Sequence, residues 1–261
     1  TVAQVRPPRR FVPLFFLSIL KPQKSSPKCD WCESGRAAYL LPMKAIFKSF
    51  ILVAALFAAS TGYASPVSQP TLVELFTSQG CSSCPPADDY LIELDKRDDV
   101  IALSMHINYW DYIGWKDPFA SEAVTERQRE YGRRIGRGRI YTPEIIVNGL
   151  LDAVGSRESA VDRVIDQAQA EIPAALDITL SMSADGTMRV SLPGGHLDGT
   201  ATVWLARYDD EHVTRIERGE NGGRTLRNIN VVRELREIGS WNGSPLDIDL
   251  PLNMLIAANG N

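Results

Sequence analysis

Cys81-Ser82-Ser83-Cys84 separates an apolar run from a helix-like pattern in the stretch ELFTSQGCSSCPPADDYL, residues 74–91. Three chemistries suit such a pair: redox exchange, half of a metal site, or a structural short-loop disulfide. A thiol does redox chemistry as the thiolate, so a working pair needs something that lowers the pKa of its attacking sulfur. The unpaired N–H groups and macrodipole of a helix N-terminus do this. Cys81 falls just before the predicted helix and Cys84 about one turn on, which lets Cys84 attack a mixed disulfide on Cys81 and release the partner. Pro85 and Pro86 suit a first turn, where N–H groups have no helical partner. The residue before a proline avoids helical angles, so regular helix is expected from Pro85 or Pro86, with the cysteines in its lead-in.

The second candidate is Thr142-Pro143, directly before the apolar run EIIVNG. A proline there cannot sit inside a central strand without losing a ladder hydrogen bond. The third is the aromatic insertion HINYWDYIGWKDPF, residues 106–119. Ends of neighbouring parallel strands share one rim where ligands bind, which makes His106, Asn108, Trp110, Asp111 and Trp115 candidate cleft residues near Cys81. His106 could move protons or complete a thiolate–imidazole copper site, and it reads equally well as a satisfied strand-end histidine. The tryptophans suit a groove wall or a core. Six arginines between 127 and 139 read as a solvated helix face paired with Glu122, Glu126 and Glu130.

The elements that must position these residues follow from periodicity. TLVELFT (71–77) and VIALSMHIN (100–108) are buried-strand candidates, and residues 85–97 carry Tyr90, Leu91 and Leu94 at helical spacing. Ser121 to Ile135 reads as a helix, TPEIIVNGLLDAVG as a hairpin about Asn148-Gly149, and Ser156 to about Ala170 as a further helix. After Pro173 the text alternates in period two, as antiparallel strands do. The fold class is therefore α/β, with an α/β part over 65–172 carrying the helical and aromatic insertion, followed by a β-rich antiparallel part over 173–261. GENGGRTLRNINVVRELREIGSW reads as loop, then helix or polar strand, and lacks the Gly-Lys-Ser/Thr ending of a phosphate loop. The last fifteen residues show no clear final element, so the chain is expected to continue beyond 261. The β-rich half offers no chemistry of its own and is expected to bind or shield the redox face.

Residues 43–64 have a basic start, an apolar centre too short to span a bilayer, and small residues at Gly62 and Ala64. This is a secretory signal peptide pattern with cleavage expected after Ala64, which leaves no stable membrane span. Residues 1–42 read as upstream sequence joined ahead of a true start at Met43, or as a long basic leader. The whole chain has 28 Lys and Arg against 32 Asp and Glu. Losing the nine basic and two acidic residues of the leader leaves 19 against 30, a net charge of −11 that argues against nucleic acid as a partner. The Cys29/Cys32 pair lies in the leader, so no second half remains for a four-thiolate zinc site; no metal and no cofactor is expected, and an exported pair can stay oxidised.

Strand, C-x-x-C and helix, followed some sixty residues later by Thr-Pro, strand, Asn-Gly, strand and helix, resembles a thioredoxin fold. That resemblance implies a cis Thr142-Pro143 bond lying against the cysteine pair and forming a platform for a bound peptide. The segments VELFTSQGCSSCPPAD, HINYWDYIGWKDPF, ERQREY, YTPEIIVNG and NVVRELREIGSW together resemble a secreted bacterial family, domain of unknown function 1223. The likeness implies a thioredoxin-like domain followed by a β-rich part, and export, without naming a reaction. The expectation is a periplasmic or secreted thiol–disulfide oxidoreductase acting on protein or small thiol and disulfide substrates, with Cys81 attacking and Cys84 resolving. A thiolate–histidine copper-handling protein and a non-catalytic binding module with a structural disulfide stay open. A peroxidase is disfavoured because Ser78 stands where a peroxidatic thiol needs a Thr.

Overall fold

The computed structural model describes residues 2–4, 12–19, 70–171, 176–197, 199–251 and 254, all within one compact unit formed by residues 1–21 and 68–261. The signal peptide pattern, the Cys29/Cys32 pair and the boundary near 172–174 lie outside the described residues. None of the described helices is long and apolar enough to cross a membrane.

In chain order the elements are β1 (Val2–Gln4), β2 (Val12–Ile19), β3 (Thr71–Thr77), α1 (Pro85–Leu94), β4 (Val100–His106), α2 (Glu122–Arg134), β5 (Glu144–Val147), β6 (Leu151–Val154) and α3 (Glu158–Glu171). Then come β7 (Thr179–Met182), β8 (Met188–Leu192), β9 (Ala201–Arg215), β10 (Thr225–Trp241) and β11 (Leu246–Leu250). They make a mixed α/β fold with a large sheet in the order β1-β2-β9-β10-β4-β3-β5-β6 and a separate antiparallel sheet β11-β8-β7. β3 and β4 are parallel, from Thr71 beside Val100 to Thr77 beside His106, and every residue of both strands is buried. Such strands are covered on both faces and so read as nearly continuous apolar runs.

Side chains alternate along a strand. Val73 and Leu75 join Val100 and Ala102 beneath α1 and α3, while Leu72, Phe76, Leu103 and Met105 pack with Val124 and Tyr131 of α2. The same alternation puts Thr77 and His106 on the α1 side at the C-terminal ends of their strands. α2 starts where Ser121 accepts a hydrogen bond from the Val124 N–H, with Glu122 in its first turn and Arg133 and Arg134 in its last, matching charge to the dipole. β5 and β6 turn at Asn148 and Gly149, both with positive φ (48° and 71°), as a tight hairpin requires.

The two halves read from the sequence share one sheet, since β10 runs parallel to β4 with Val231 beside Ser104 and antiparallel to β9 along its length. The polar stretch after GENGG is thus a strand of 17 residues. Its alternation changes phase at Asn228-Ile229-Asn230, where Asn230 has φ 46° and donates to Asp95 and to the Ala102 carbonyl. That phase change hides the strand from a period-two reading. The expected absence of a last element is also corrected: Leu246–Leu250 pairs with β8, more than fifty residues earlier, and its Leu-Asp-Ile-Asp-Leu alternation is a period-two signal too short to stand out. The small sheet packs through Val190, Leu192 and Leu250 on Val203, Leu205 and Trp241 of β9 and β10.

Candidate functional site

Cys81 and Cys84 form a disulfide in the lead-in to α1. Cys84 is the N-cap, its carbonyl accepts from the N–H groups of Ala87 and Asp88, and the two prolines occupy the first helical positions. Ser82 and Ser83 are exposed, whereas Cys81 is 3% and Cys84 0% accessible. Cys81 Sγ lies 3.3 Å from Thr142 Oγ1 and 3.3 Å from Ser83 Oγ. A disulfide sulfur carries no hydrogen, so both hydroxyls donate to it. Thr142-Pro143 is a cis peptide bond. Trp110 donates its indole N–H to Thr142 Oγ1 at 2.7 Å.

Below the cysteine loop, Gln79 is a fully buried junction. Its backbone N–H donates to Asp117, its side-chain amide donates to Asn228, and its side-chain carbonyl accepts from the Trp115 indole at 3.1 Å. Asn221, in the turn between β9 and β10, donates to the carbonyls of Gln79 and Cys81, both at 2.9 Å. Beside it, Glu220 accepts from the Ser82 N–H at 3.2 Å and Arg224 donates to Asn221. Residues 216–224 therefore form a strap over the cysteine loop. Gly219, at φ 78°, lies so close to Ile113 and Trp115 that a Cβ would come within 3.3 Å of their backbone atoms.

A buried polar cluster lies under α1. His106, 0% accessible, holds Asp117 Oδ2 through Nδ1 at 2.7 Å. Burial raises the Asp117 pKa, but the charge and hydrogen bond of His106 and the N–H groups of Gln79 and Phe119 outweigh it and hold the carboxyl below its usual range. Asp88, one helical turn after Cys84, accepts from the Thr77 hydroxyl at 2.9 Å. Burial pushes its pKa up to about 7 against the pull of His106 and Thr77. Asp88 Oδ2, Ser104 Oγ, His106 Nε2 and Asn228 Nδ2 are buried without a hydrogen-bond partner. Asp88 also lines an open cavity of about 370 Å³ between Pro85 and Asp89 on one side and Arg224 to Arg227 on the other.

The structure thus brings Cys81, Cys84, Thr142, Pro143 and Trp110 together, with Trp115 joined through Gln79 and His106 beneath. Asn108 and Asp111 serve the insertion instead. Asn108 bonds Thr125 and Glu122 of α2, and Asp111, its pKa raised by burial, accepts from the Asp117 N–H. Glu144, next to Pro143, is buried with its pKa pushed up to about 7 by burial and bonds Gln128 at 2.7 Å. Sequence reasoning missed Gln79, Asp88, Asp117, Asn221 and Asn228 as parts of one site. Only Asp88 had a local signal, its spacing of four from Cys84. Among the described residues no group of three or more His, Cys, Asp or Glu side chains could hold a metal ion.

A comparison with curated proteins finds no match. Among solved structures, the crystal structure of an Agrobacterium tumefaciens protein is similar at 33% identity and a TM-score of 0.62, covering 71% of this chain and 80% of that one. HBP35 of Porphyromonas gingivalis aligns at 12% identity and a TM-score of 0.36 over 71% of this chain and 65% of its own. Residues 72–261, from β3 through the strap and β11, match the family described as "Protein of unknown function (DUF1223)", and the chain belongs to that family.

Proposed function

We propose that this protein is an exported thiol–disulfide oxidoreductase on a thioredoxin-like scaffold. The observation that carries the reading is a chain of three separate elements ending on one sulfur: the helix lead-in supplies Cys81, the segment before β5 supplies the Thr142 hydroxyl that bonds it, and the insertion supplies Trp110, which bonds that hydroxyl. A purely structural staple does not require donors aimed at its sulfur. Export rests on the signal peptide pattern of residues 43–64.

In the reduced protein the Cys81 thiolate attacks one sulfur of a substrate disulfide, forms a mixed disulfide, and expels the other substrate sulfur as a thiolate. Cys84, deprotonated, then attacks Cys81 Sγ and expels the second substrate thiolate. Two electrons pass to the substrate and the Cys81–Cys84 disulfide returns; the reverse sequence oxidises a dithiol. We assign the Cys84 proton to Asp88, a buried carboxyl four residues on with a pKa of about 7. Because Cys81 is 3% accessible, groups around it must move for a substrate sulfur to reach it.

The test is the reduction potential of the Cys81/Cys84 pair against a glutathione series, with Cys84→Ser used to trap mixed disulfides. A potential between roughly −120 and −270 mV with trapped partners supports the reading. A potential below about −300 mV with nothing trapped makes the disulfide a structural staple.

A further inference from the structure

The hydrogen bonds that lead to Cys81 start from a group that can only donate. An indole N–H donates and never accepts, and Trp110 Nε1 lies 2.7 Å from Thr142 Oγ1. The Thr142 oxygen is therefore the acceptor in that pair, and its own hydrogen turns the other way, where Cys81 Sγ at 3.3 Å and the Tyr109 hydroxyl are the acceptors. The indole is held in place on several sides. Its ring stacks on Tyr112 at 6.3 Å and tilts against Tyr109 at 5.9 Å, and the Trp110 carbonyl fits so closely over Gly80 that a Cβ there would meet it at 3.2 Å.

We propose that Trp110 is a positioning residue whose indole keeps the Thr142 hydroxyl aimed at Cys81, so that a donor chain from the aromatic insertion stabilises the Cys81 thiolate. The consequence for catalysis rests on the oxidoreductase reading; the donor chain itself does not. A hydrogen bond to an ionised acceptor is shorter and about twice as strong as one between neutral groups. The chain therefore gains strength when the disulfide opens and charge appears on Cys81, and it favours the ionised form. Ser83 adds a second donor that does not depend on Trp110. With the helix N-terminus, the sulfur then faces three sources of positive potential from two distant parts of the chain.

The pH midpoint of Cys81 alkylation by iodoacetamide, read at the Cys81 peptide by mass spectrometry in a Cys84→Ser background, tests this. Thr142→Val is expected to raise the midpoint by about one unit, since a hydrogen bond to the thiolate favours the ionised form and only part of it is regained from water. Thr142→Ser, which keeps the hydroxyl, is expected to stay at the starting midpoint. Trp110→Phe is expected to raise it by about half a unit, and the double variant Trp110→Phe, Thr142→Val no further than Thr142→Val alone, because the indole acts only through the hydroxyl. An unchanged midpoint in Thr142→Val, or single shifts that add in full, would overturn the donor chain. If Thr142→Val does not fold, Trp110→Phe decides alone, and an unchanged midpoint there overturns it too. Exchange with a small disulfide is scored separately. Shifted midpoints without exchange remove the oxidoreductase reading and leave the donor chain; exchange with unshifted midpoints does the opposite.

Discussion

Glu74 and Thr77 lie three residues apart on β3, yet each meets a different kind of buried polar cluster. On the α2 face, Glu74 accepts from Arg127 Nε at 2.7 Å, from Arg127 Nη2 at 3.3 Å and from the Tyr131 hydroxyl at 2.6 Å. Arg127 also donates to Tyr131 and lies over its ring. Burial acts to lower the Arg127 pKa, but Glu74 and Tyr131 outweigh it and hold the guanidinium charged. On the α1 face, Thr77 meets Asp88 and His106, and one polar atom of each is left without a hydrogen-bond partner. A closed cluster of the first kind fixes how α2 sits on the sheet. An open one of the second kind, one helical turn from a disulfide, retains in Asp88 a carboxyl able to change protonation. The difference separates structure from chemistry within one strand.

The largest effect is expected where the closed cluster is broken. Arg127→Met leaves Glu74 buried and unpaired, a loss of ~3–5 kcal/mol, which at ~2–4 °C per kcal/mol lowers the thermal midpoint by about 10 °C. The double variant Glu74→Gln, Arg127→Met should recover most of that loss, because both charges then leave the interior together. The pH midpoint of Cys81 alkylation should not change in either. A shift there would mean that the α2 cluster reaches the disulfide, and the contrast between the two faces would fail.

The open cluster should respond to pH. The Asp88 carboxyl has a pKa of about 7 in the folded protein against 3.8 for an ordinary aspartate, so folding takes up a proton between these values. Stability then falls as pH rises from about 4 to 7 and levels off above. Asp88→Asn cannot titrate, so it should match the wild type near pH 4 and exceed it above pH 7, by a margin on the order of 4 kcal/mol at most. Glu144, raised to about 7 by burial, contributes the same slope to both proteins and cancels in the difference. His106, Asp117 and Asp89 are the charged neighbours acting on Asp88, and all three are present in both proteins. Urea unfolding of the pair at pH 4.5, 6 and 8 measures the margin, and a margin that does not grow with pH sinks the assignment.

How much of this was legible in the sequence depends on how far apart the cooperating residues lie. β3, α1, β4 and the Asn148-Gly149 hairpin were legible because each follows from period, proline placement or a turn dipeptide within about ten residues. The Ser121 cap of α2 was equally local. The place of Thr142-Pro143 beside Cys81 came from the resemblance of the whole strand and helix order, since nothing in residues 140–144 points to a cysteine sixty positions earlier. Gln79 and Asn221 could not be paired at all: 142 residues separate them, and the contact exists only because β10 lies beside β4. His106 was placed near the cysteines through its strand-end position. Its commitment to Asp117, however, depends on how the insertion folds back, which no periodicity encodes.

The smallest effect concerns the strap, which distinguishes a gate from a scaffold. Asn221 makes two neutral hydrogen bonds to carbonyls of the cysteine loop, and Glu220 caps the Ser82 N–H at a solvent-exposed position. Asn221→Ala removes both of the former, each worth ~1 kcal/mol net. If the strap limits access to Cys81, opening becomes easier by the sum of the two, and dithiothreitol should reduce the Cys81–Cys84 disulfide about thirtyfold faster. The thermal midpoint should fall by only a few degrees, because the sheet beneath keeps its packing. Glu220→Gln should quicken reduction less, about twofold, and more at low salt than at high, since the contribution lost is a screened surface charge beside the incoming thiolate. A scaffold without a gating role predicts the reverse for Asn221→Ala: an unchanged reduction rate together with the same loss of stability. The ratio of the two changes, rather than either alone, decides which description holds.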